Sequence, residues 1–175
     1  MGDKMRVYSV GHSNLSTNVF LALLEKFGIQ TVVDVRSAPY SRFAPHFNQS
    51  CLNRLLNEHG IQYFFAGKVL GGRPTDPDCY RTGVVPEGKA DYLTLVDYPA
   101  VARQDWYQRG VKRLLDIAAK QATAVMCSEE DPHRCHRHHL IEPSLREHGV
   151  ELLHIRRNGS LEITTEAEQL TLIEF

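Results

Sequence analysis

The sequence predicts an α/β fold: a three-layer sandwich on a mostly parallel sheet, with an antiparallel hairpin at its C-terminal edge. Two observations carry the first part. Short apolar runs of strand length alternate with segments whose apolar residues recur at helical spacing, and Gly28, Gly60 and Gly149 close three of those segments. A third observation predicts the edge. Asn158-Gly159 lies between Leu153-His154-Ile155 and Leu161-Glu162-Ile163, a type I′ hairpin signal.

Taken in order, Arg6 to Val10 alternates into a first strand, broken by Gly11-His12-Ser13-Asn14. Ser16 is a helix N-cap for a segment through Phe20, Leu23, Leu24 and Phe27. Thr31 to Val35 is a second strand, with Val33 and Val35 on one side and Asp34 and Arg36 on the other. After the loop Ser37 to Gln49, Ser50 is read as the cap of a short helix through Leu52, Leu55 and Leu56, and Ile61 to Phe65 as a third strand. The long aperiodic stretch Gly67 to Gly88, rich in glycine and proline, is expected to be a lid or mobile loop. Ala90 to Val96 reads as a short helix and Val101 to Gln121 as the longest, with Trp106, Val111, Leu114, Leu115 and Ala118 on its apolar stripe. A strand from Thr123 ends at Cys127, a helix runs from His136 to Glu147, and Glu151 to Ile155 is the last parallel strand.

Length and composition bound the rest. The 175 residues, 42% of them hydrophobic, suit one domain spanning 1–175. Twenty basic residues against twenty-one acidic ones leave a formal charge of -1, which excludes a strong general attraction to nucleic acid or an acidic membrane. Without an apolar leader or an eighteen-residue apolar run, the chain is expected to be soluble and cytoplasmic with no membrane partner, and its four cysteines reduced.

The densest chemistry lies in residues 123–139. An apolar run ends in Cys127, and Glu129, Glu130, Asp131, Arg134, Cys135, His136, Arg137, His138 and His139 follow within twelve residues. Cys127 at a strand end, and Cys135 near a helix start among cations, are the expected nucleophile or redox thiols, one resolving the other. Glu129 and His12 are the candidate proton carriers. Arg36 and Arg137 are expected to hold an anionic group, and Asp34 either pairs with Arg36 or shares that task. The loops after parallel strands lie along one edge of such a sheet, so the regions around 12, 36 and 127 to 137 are predicted to meet.

Cys127, Cys135, His136 and His139 are also metal-ligand types, with His12 able to complete a set across the fold. Seven residues between the two cysteines is not a knuckle spacing, and no metal or other cofactor is expected. Six residues separate Cys127 from Arg134, and the intervening acids would repel phosphate, which counts against a phosphatase-like cradle.

Several motifs follow one another in a recognisable order: Gly11-His12-Ser13-Asn14; Asp34-Val35-Arg36 with Pro39 and Ser41; Phe47-Asn48; Leu70-Gly71-Gly72; Ala90-Asp91-Tyr92; and Met126-Cys127-Ser128-Glu129 with Cys135-His136-Arg137. Together they make the chain, over roughly residues 6–155, similar to the family called domain of unknown function 488. The resemblance implies an enzyme whose paired cysteines matter, and it adds Ser13, Ser41 and His136 to the expected substrate-binding set of Asp34, Arg36 and Arg137. Residues 73–88 with Cys79, and His138 and His139, fall outside the shared pattern.

The function expected from these readings is a cysteine-dependent enzyme acting on a small anionic substrate, phosphorylated or a nucleotide, at the carboxyl edge of the sheet. The alternative is a nucleotide or nucleic-acid binding module, in which Arg36, Arg42, Arg54, Arg73 and Arg81 are interleaved with Tyr40, Phe43, Phe47, Phe64 and Phe65. A third reading is a metal-binding enzyme with Cys and His ligands.

Overall fold

The computed structural model describes residues 4–164. Its elements are β1 (Arg6–Gly11), α1 (Thr17–Lys26), β2 (Thr31–Asp34), α2 (Gln49–Glu58), β3 (Gln62–Phe65), α3 (Gly67–Leu70), α4 (Tyr92–Leu95), α5 (Tyr98–Ala102), α6 (Asp105–Ala118), β4 (Thr123–Cys127), α7 (Glu142–Glu147), β5 (Glu151–Ile155) and β6 (Leu161–Glu162). The strands form one sheet in the order β3-β2-β4-β1-β5-β6. All neighbours are parallel except β5 and β6, where His154 pairs with Glu162 and Ile155 with Leu161.

Successive strand residues point to opposite faces, and the central strands are apolar on both, so each feeds two cores. On one face Val10, Val32, Met126 and Ile155 pack against Phe20 and Leu24 of α1 and Leu52 and Leu56 of α2. On the other, Val7, Val33, Val125 and Leu152 pack against Val111 and Leu114 of α6 and Leu145 of α7. This is the layered α/β arrangement that the alternation predicts. Burying such side chains contributes about 1.5–3 kcal/mol each.

Five local expectations are corrected. Ser16 caps α1, accepting from the Val19 N–H at 3.3 Å, but the N-cap of α2 is Asn48, not Ser50. Asn48 Oδ1 faces backwards, accepting from the Ser41 N–H at 2.7 Å, so it secures the preceding loop instead of the helix. The helix read as Val101 to Gln121 is two: Pro99 and the Asp97 side chain start α5 earlier, and Gln104 is extended before α6 begins.

The stretch 67–88 is anchored. It contains α3, the Tyr80 hydroxyl donates to the Pro74 carbonyl at 2.6 Å, and Cys79 is wholly buried. The helix expected from His136 to Glu147 begins instead as a π-helical turn, Arg137–Ile141, with the Glu142 N–H reaching the Arg137 carbonyl. Pro143 explains it, because proline has no N–H for the carbonyl four residues back and its ring crowds that carbonyl. At the hairpin only Gly159 has a positive φ, of 76°, so the turn is not type I′; the Gly159 N–H meets the Arg156 carbonyl, and the Arg156 N–H meets Ser160.

One close approach brings the end of β1 to the segment that follows β4. A Cβ on Gly11 would lie 1.7 Å from the Glu129 carbonyl oxygen, which is backbone and cannot swing aside. Gly11→Ala is expected to cost about 1–3 kcal/mol, read as a lower urea midpoint at unchanged slope. A midpoint equal to wild type would show that the two segments are not locked together.

Candidate active site at the carboxyl edge of the sheet

The ends of β1, β2 and β4 lie side by side, continued by main-chain bonds beyond the strands: His12 N–H to Cys127 carbonyl at 3.0 Å, Ser13 N–H to Ser128 carbonyl at 2.8 Å, and Val35 N–H to Met126 carbonyl at 3.0 Å. Regions far apart in sequence thus meet at one edge. A cleft of about 370 Å³ opens there, with Arg36, Ser41, Cys127, Glu129, Cys135 and His136 among its lining residues. Arg73, Asp91, Tyr92, Tyr98 and Arg134, none of them in the expected site set, line it too.

At its floor the two thiols are free and adjacent. The sulfurs of Cys127 and Cys135 and a ring nitrogen of His136 all lie within 4.8 Å of one another. Arg137, only 1% exposed, donates from Nε to the Cys135 sulfur at 3.2 Å, from Nη1 to Ser9 Oγ at 3.2 Å, and from Nη2 to the Glu129 carbonyl. Among the described residues no carboxylate forms an ion pair with this guanidinium, and a buried charge without a counter-charge is costly. The Cys135 thiolate is the anion in contact with it. Burial opposes that thiolate, but a hydrogen bond from Cys127 and the charges of Arg137 and His136 outweigh burial and hold its pKa well below the ordinary thiol value. Cys127 moves the other way. Its bond to Cys135, its burial, and the negative charges of Cys135 and Glu129, whose Oε2 is 3.0 Å from its sulfur, keep its proton on.

Arg36 is held differently. It donates from Nε to Asp34 Oδ1 at 2.9 Å, from Nη2 to Asp34 Oδ2 at 2.6 Å and to the Phe47 carbonyl at 2.9 Å, and from Nη1 to His12 Nε2 at 3.2 Å. The Tyr63 hydroxyl adds a bond to Asp34 Oδ2 at 2.8 Å. Asp34 therefore neutralises Arg36, which lines the cleft with four of its five N–H groups engaged. His12 sits behind this pair, stacked on Phe47, its Nδ1–H donating to the Ser13 carbonyl at 3.0 Å. Burial first, and Arg36 second, push its pKa down to about 4, so near neutrality it is an uncharged acceptor that orients Arg36. Neither His12 nor Ser13 is among the cleft-lining residues.

Ser41 lines the cleft, though its hydroxyl accepts from the N–H groups of Phe43 and Ala44 at 3.2 and 3.1 Å, bracing its own loop. His139, named above as a metal-ligand type, turns its Nε2 to the His133 carbonyl at 2.7 Å, away from the thiols. The acids flanking Glu129 are also engaged: Arg156 grips Glu130 at 3.0 and 2.8 Å, and Asp131 caps a short 3₁₀ turn. Of the arginine and aromatic set interleaved in sequence, Arg36, Tyr40 and Arg73 line this one cleft, while Arg42, Arg54, Phe43, Phe47, Phe64, Phe65 and Arg81 do not. Arg36 and Phe47 are buried, Arg54 pairs with Glu58, and Tyr40 and Phe43 stand exposed.

A family model described as "Domain of unknown function DUF488" matches residues 16–143. The chain belongs to that family. No curated protein and no solved structure gives a match. The matched span of this DUF488 chain holds Asp34, Arg36, Cys127, Glu129, Cys135, His136 and Arg137, while His12, Ser13 and β5 lie outside it.

Beneath the floor a second polar group, absent from the expected site, supports Arg137. The Ser9 hydroxyl donates to His154 Nδ1 at 2.6 Å, His154 Nε2–H donates to Glu142 Oε2 at 3.2 Å, and His138 Nδ1–H donates to the same oxygen at 2.7 Å. These tautomers are the ones the donor pattern requires. Burial acts to raise the Glu142 pKa, but the bonds from His138 and His154 bring it down to about 2 from 4.5. A depressed carboxylate stabilises the fold above its unfolded pKa and loses that contribution as pH falls through the folded value. Glu142→Gln is expected to lower stability by about 1–3 kcal/mol at pH 7, and the gap from wild type should close between pH 4.5 and 2 in urea titrations. A gap independent of pH would refute this account of Glu142.

Proposed function

We propose that this protein is a cysteine-dependent enzyme acting on a small anionic substrate in the cleft at the carboxyl edge of the sheet. The observation that carries the reading is the convergence on one cleft floor of the Cys127 and Cys135 sulfurs, the Glu129 carboxylate and the His136 imidazole, below walls bearing Arg73 and Arg134. A core has no use for that set, and a cleft of this size suits a small molecule.

The division of labour follows from position. Cys127 and Cys135 form the chemical centre, and Glu129, in contact with the Cys127 sulfur, is placed to move protons. Arg73 and Arg134 are exposed and form no ion pair among the described residues, so their charge is available to an anion. Arg73 lies over the Tyr92 ring at 4.7 Å, which holds its guanidinium at the wall. Arg73 and Arg134 outnumber the one unpaired wall carboxylate, Asp91, and Glu129 lies beside the Cys127 sulfur, so the substrate's anionic group would sit toward the two arginines and away from the reacting atoms. Arg137 is a positioning residue: it holds the Cys135 sulfur and the Glu129 main chain.

The test uses inorganic phosphate and adenosine monophosphate as probes at low ionic strength, with chelator present. Saturable binding by calorimetry is expected, weakened about 10-fold or more when Arg73 and Arg134 are both changed to Ala, since a charge-assisted contact is worth about 1.5–3 kcal/mol. Saturating probe should also slow iodoacetamide labelling of Cys127 and Cys135, followed by peptide mass spectrometry. No binding, or equal affinity in the double variant, would remove the anion site. Labelling at the same rate with and without bound probe would separate the thiols from the cleft.

A further inference from the structure

Cys127, Cys135 and His136 share a geometry that thiol chemistry by itself does not call for. The His136 ring nitrogen Nδ1 lies 3.9 Å from the Cys127 sulfur and 3.7 Å from the Cys135 sulfur, and all three atoms are within 4.8 Å of one another. An ion at about 2.3 Å from each sulfur and about 2.0–2.1 Å from nitrogen, with tetrahedral angles, would set sulfur and nitrogen about 3.6 Å apart and the two sulfurs about 3.8 Å apart. The two sulfur–nitrogen separations are thus already close to the edges of such a tetrahedron, and the sulfurs lie within 4.8 Å of each other. They are also held there. Cys127 ends a central strand, and Cys135 and His136 are neighbours beside the π-helical turn. Gly72 makes room for the imidazole, since a Cβ at that position would sit 2.7 Å from its ring.

Two further observations describe how the ring and the Cys135 sulfur are held. His136 is 93% buried (7% exposed), yet its Nε2 has no hydrogen-bond partner. The partners of the ring are on its other side, where Nδ1 faces both sulfurs and Gly72 packs against the ring carbons. The Arg137 Nε–H bond to the Cys135 sulfur at 3.2 Å is the kind of outer contact that steadies a metal-bound thiolate. The other buried donor group, His138, Glu142 and His154, is already matched internally by hydrogen bonds and has no such unpartnered atom.

We propose that Cys127, Cys135 and His136 bind one divalent ion of the zinc class, with its fourth position open to the cleft. Two sulfurs and an imidazole select zinc, or another late first-row metal, over magnesium or calcium. Binding displaces the Cys127 proton to solvent, and the two resulting thiolates balance the charge of the ion, leaving Arg137 and Glu129 to offset each other. Three protein ligands and one open site form the catalytic pattern rather than the closed structural one. Glu129 lines the cleft with its Oε2 3.0 Å from the Cys127 sulfur, so it is the carboxylate that would take a proton from a water held at the open position and leave hydroxide for the substrate. The role of the open position rests on the cleft being the working site; the ion's binding does not.

The test is metal binding by the full chain, stripped with chelator and titrated with Zn²⁺ and Co²⁺. One ion per chain is expected, and cobalt should show sulfur-to-metal charge-transfer absorption in the near ultraviolet with the visible bands of a tetrahedral site. Cys127→Ser, Cys135→Ser and His136→Ala should each weaken binding 100-fold or more, while Cys51→Ser binds as wild type does. Should the ligand variants fail to fold, wild type still decides: zinc must protect Cys127 and Cys135 from iodoacetamide while leaving Cys51 labelled. Absence of a stoichiometric ion, absence of the charge-transfer band, or zinc that leaves both thiols equally reactive would overturn the site. Cobalt binding with no phosphate binding would leave the metal site standing and count against the anionic substrate alone.

Discussion

The buried Arg137 guanidinium is the constraint around which this end of the molecule is assembled. It joins the Cys135 sulfur, the Ser9 hydroxyl on β1 and the Glu129 carbonyl after β4, three elements with no local reason to meet. A guanidinium so deep in the protein is tolerable only with its donors used and its charge matched. Both conditions shape the cleft floor. The Glu129 segment is drawn over Gly11, and a thiolate or a metal-bound sulfur at Cys135 is favoured over a neutral thiol.

The same economy appears in the other charged groups. Asp34 neutralises Arg36, Arg156 neutralises Glu130, and Glu142 gathers bonds from His138, His154 and Arg146. What remains without an ion partner on the cleft wall, among the described residues, is Arg73, Arg134 and Asp91, two cations against one carboxylate. Charged residues crowd this edge, but most serve to position one another. The chemistry is left to a few atoms at the floor.

The segment from β4 to α7 shows how backbone irregularity is used. Pro132 starts a short 3₁₀ turn capped by Asp131, and Pro143 turns the next helix's first turn into a π-helical one. An uninterrupted α-helix through Cys135 to Ile141 would rotate Arg137 and His136 relative to each other. The two prolines are readable as breakers in the sequence, and between the irregular turns they start, Arg137 is bonded to the Cys135 sulfur and His136 Nδ1 faces both sulfurs. No helix among the described residues is long and apolar enough to cross a membrane.

The sequence by itself determined the layering, the parallel core with its C-terminal antiparallel edge, and the placement of Cys127 at a strand end, because periodicity and breakers act over a few residues. It also marked Cys127, Glu129, Cys135 and His136, since so many reactive side chains after an apolar run have no place in a core. Only the tertiary structure decided that His12 lies behind Arg36, that Arg36 is neutralised by its neighbour, that Arg137 is buried, and that Arg73 and Tyr98 reach the same cleft. Those outcomes depend on which charges meet across the sheet, as with Arg137, Ser9 and His154, and spacing along the chain carries no record of it.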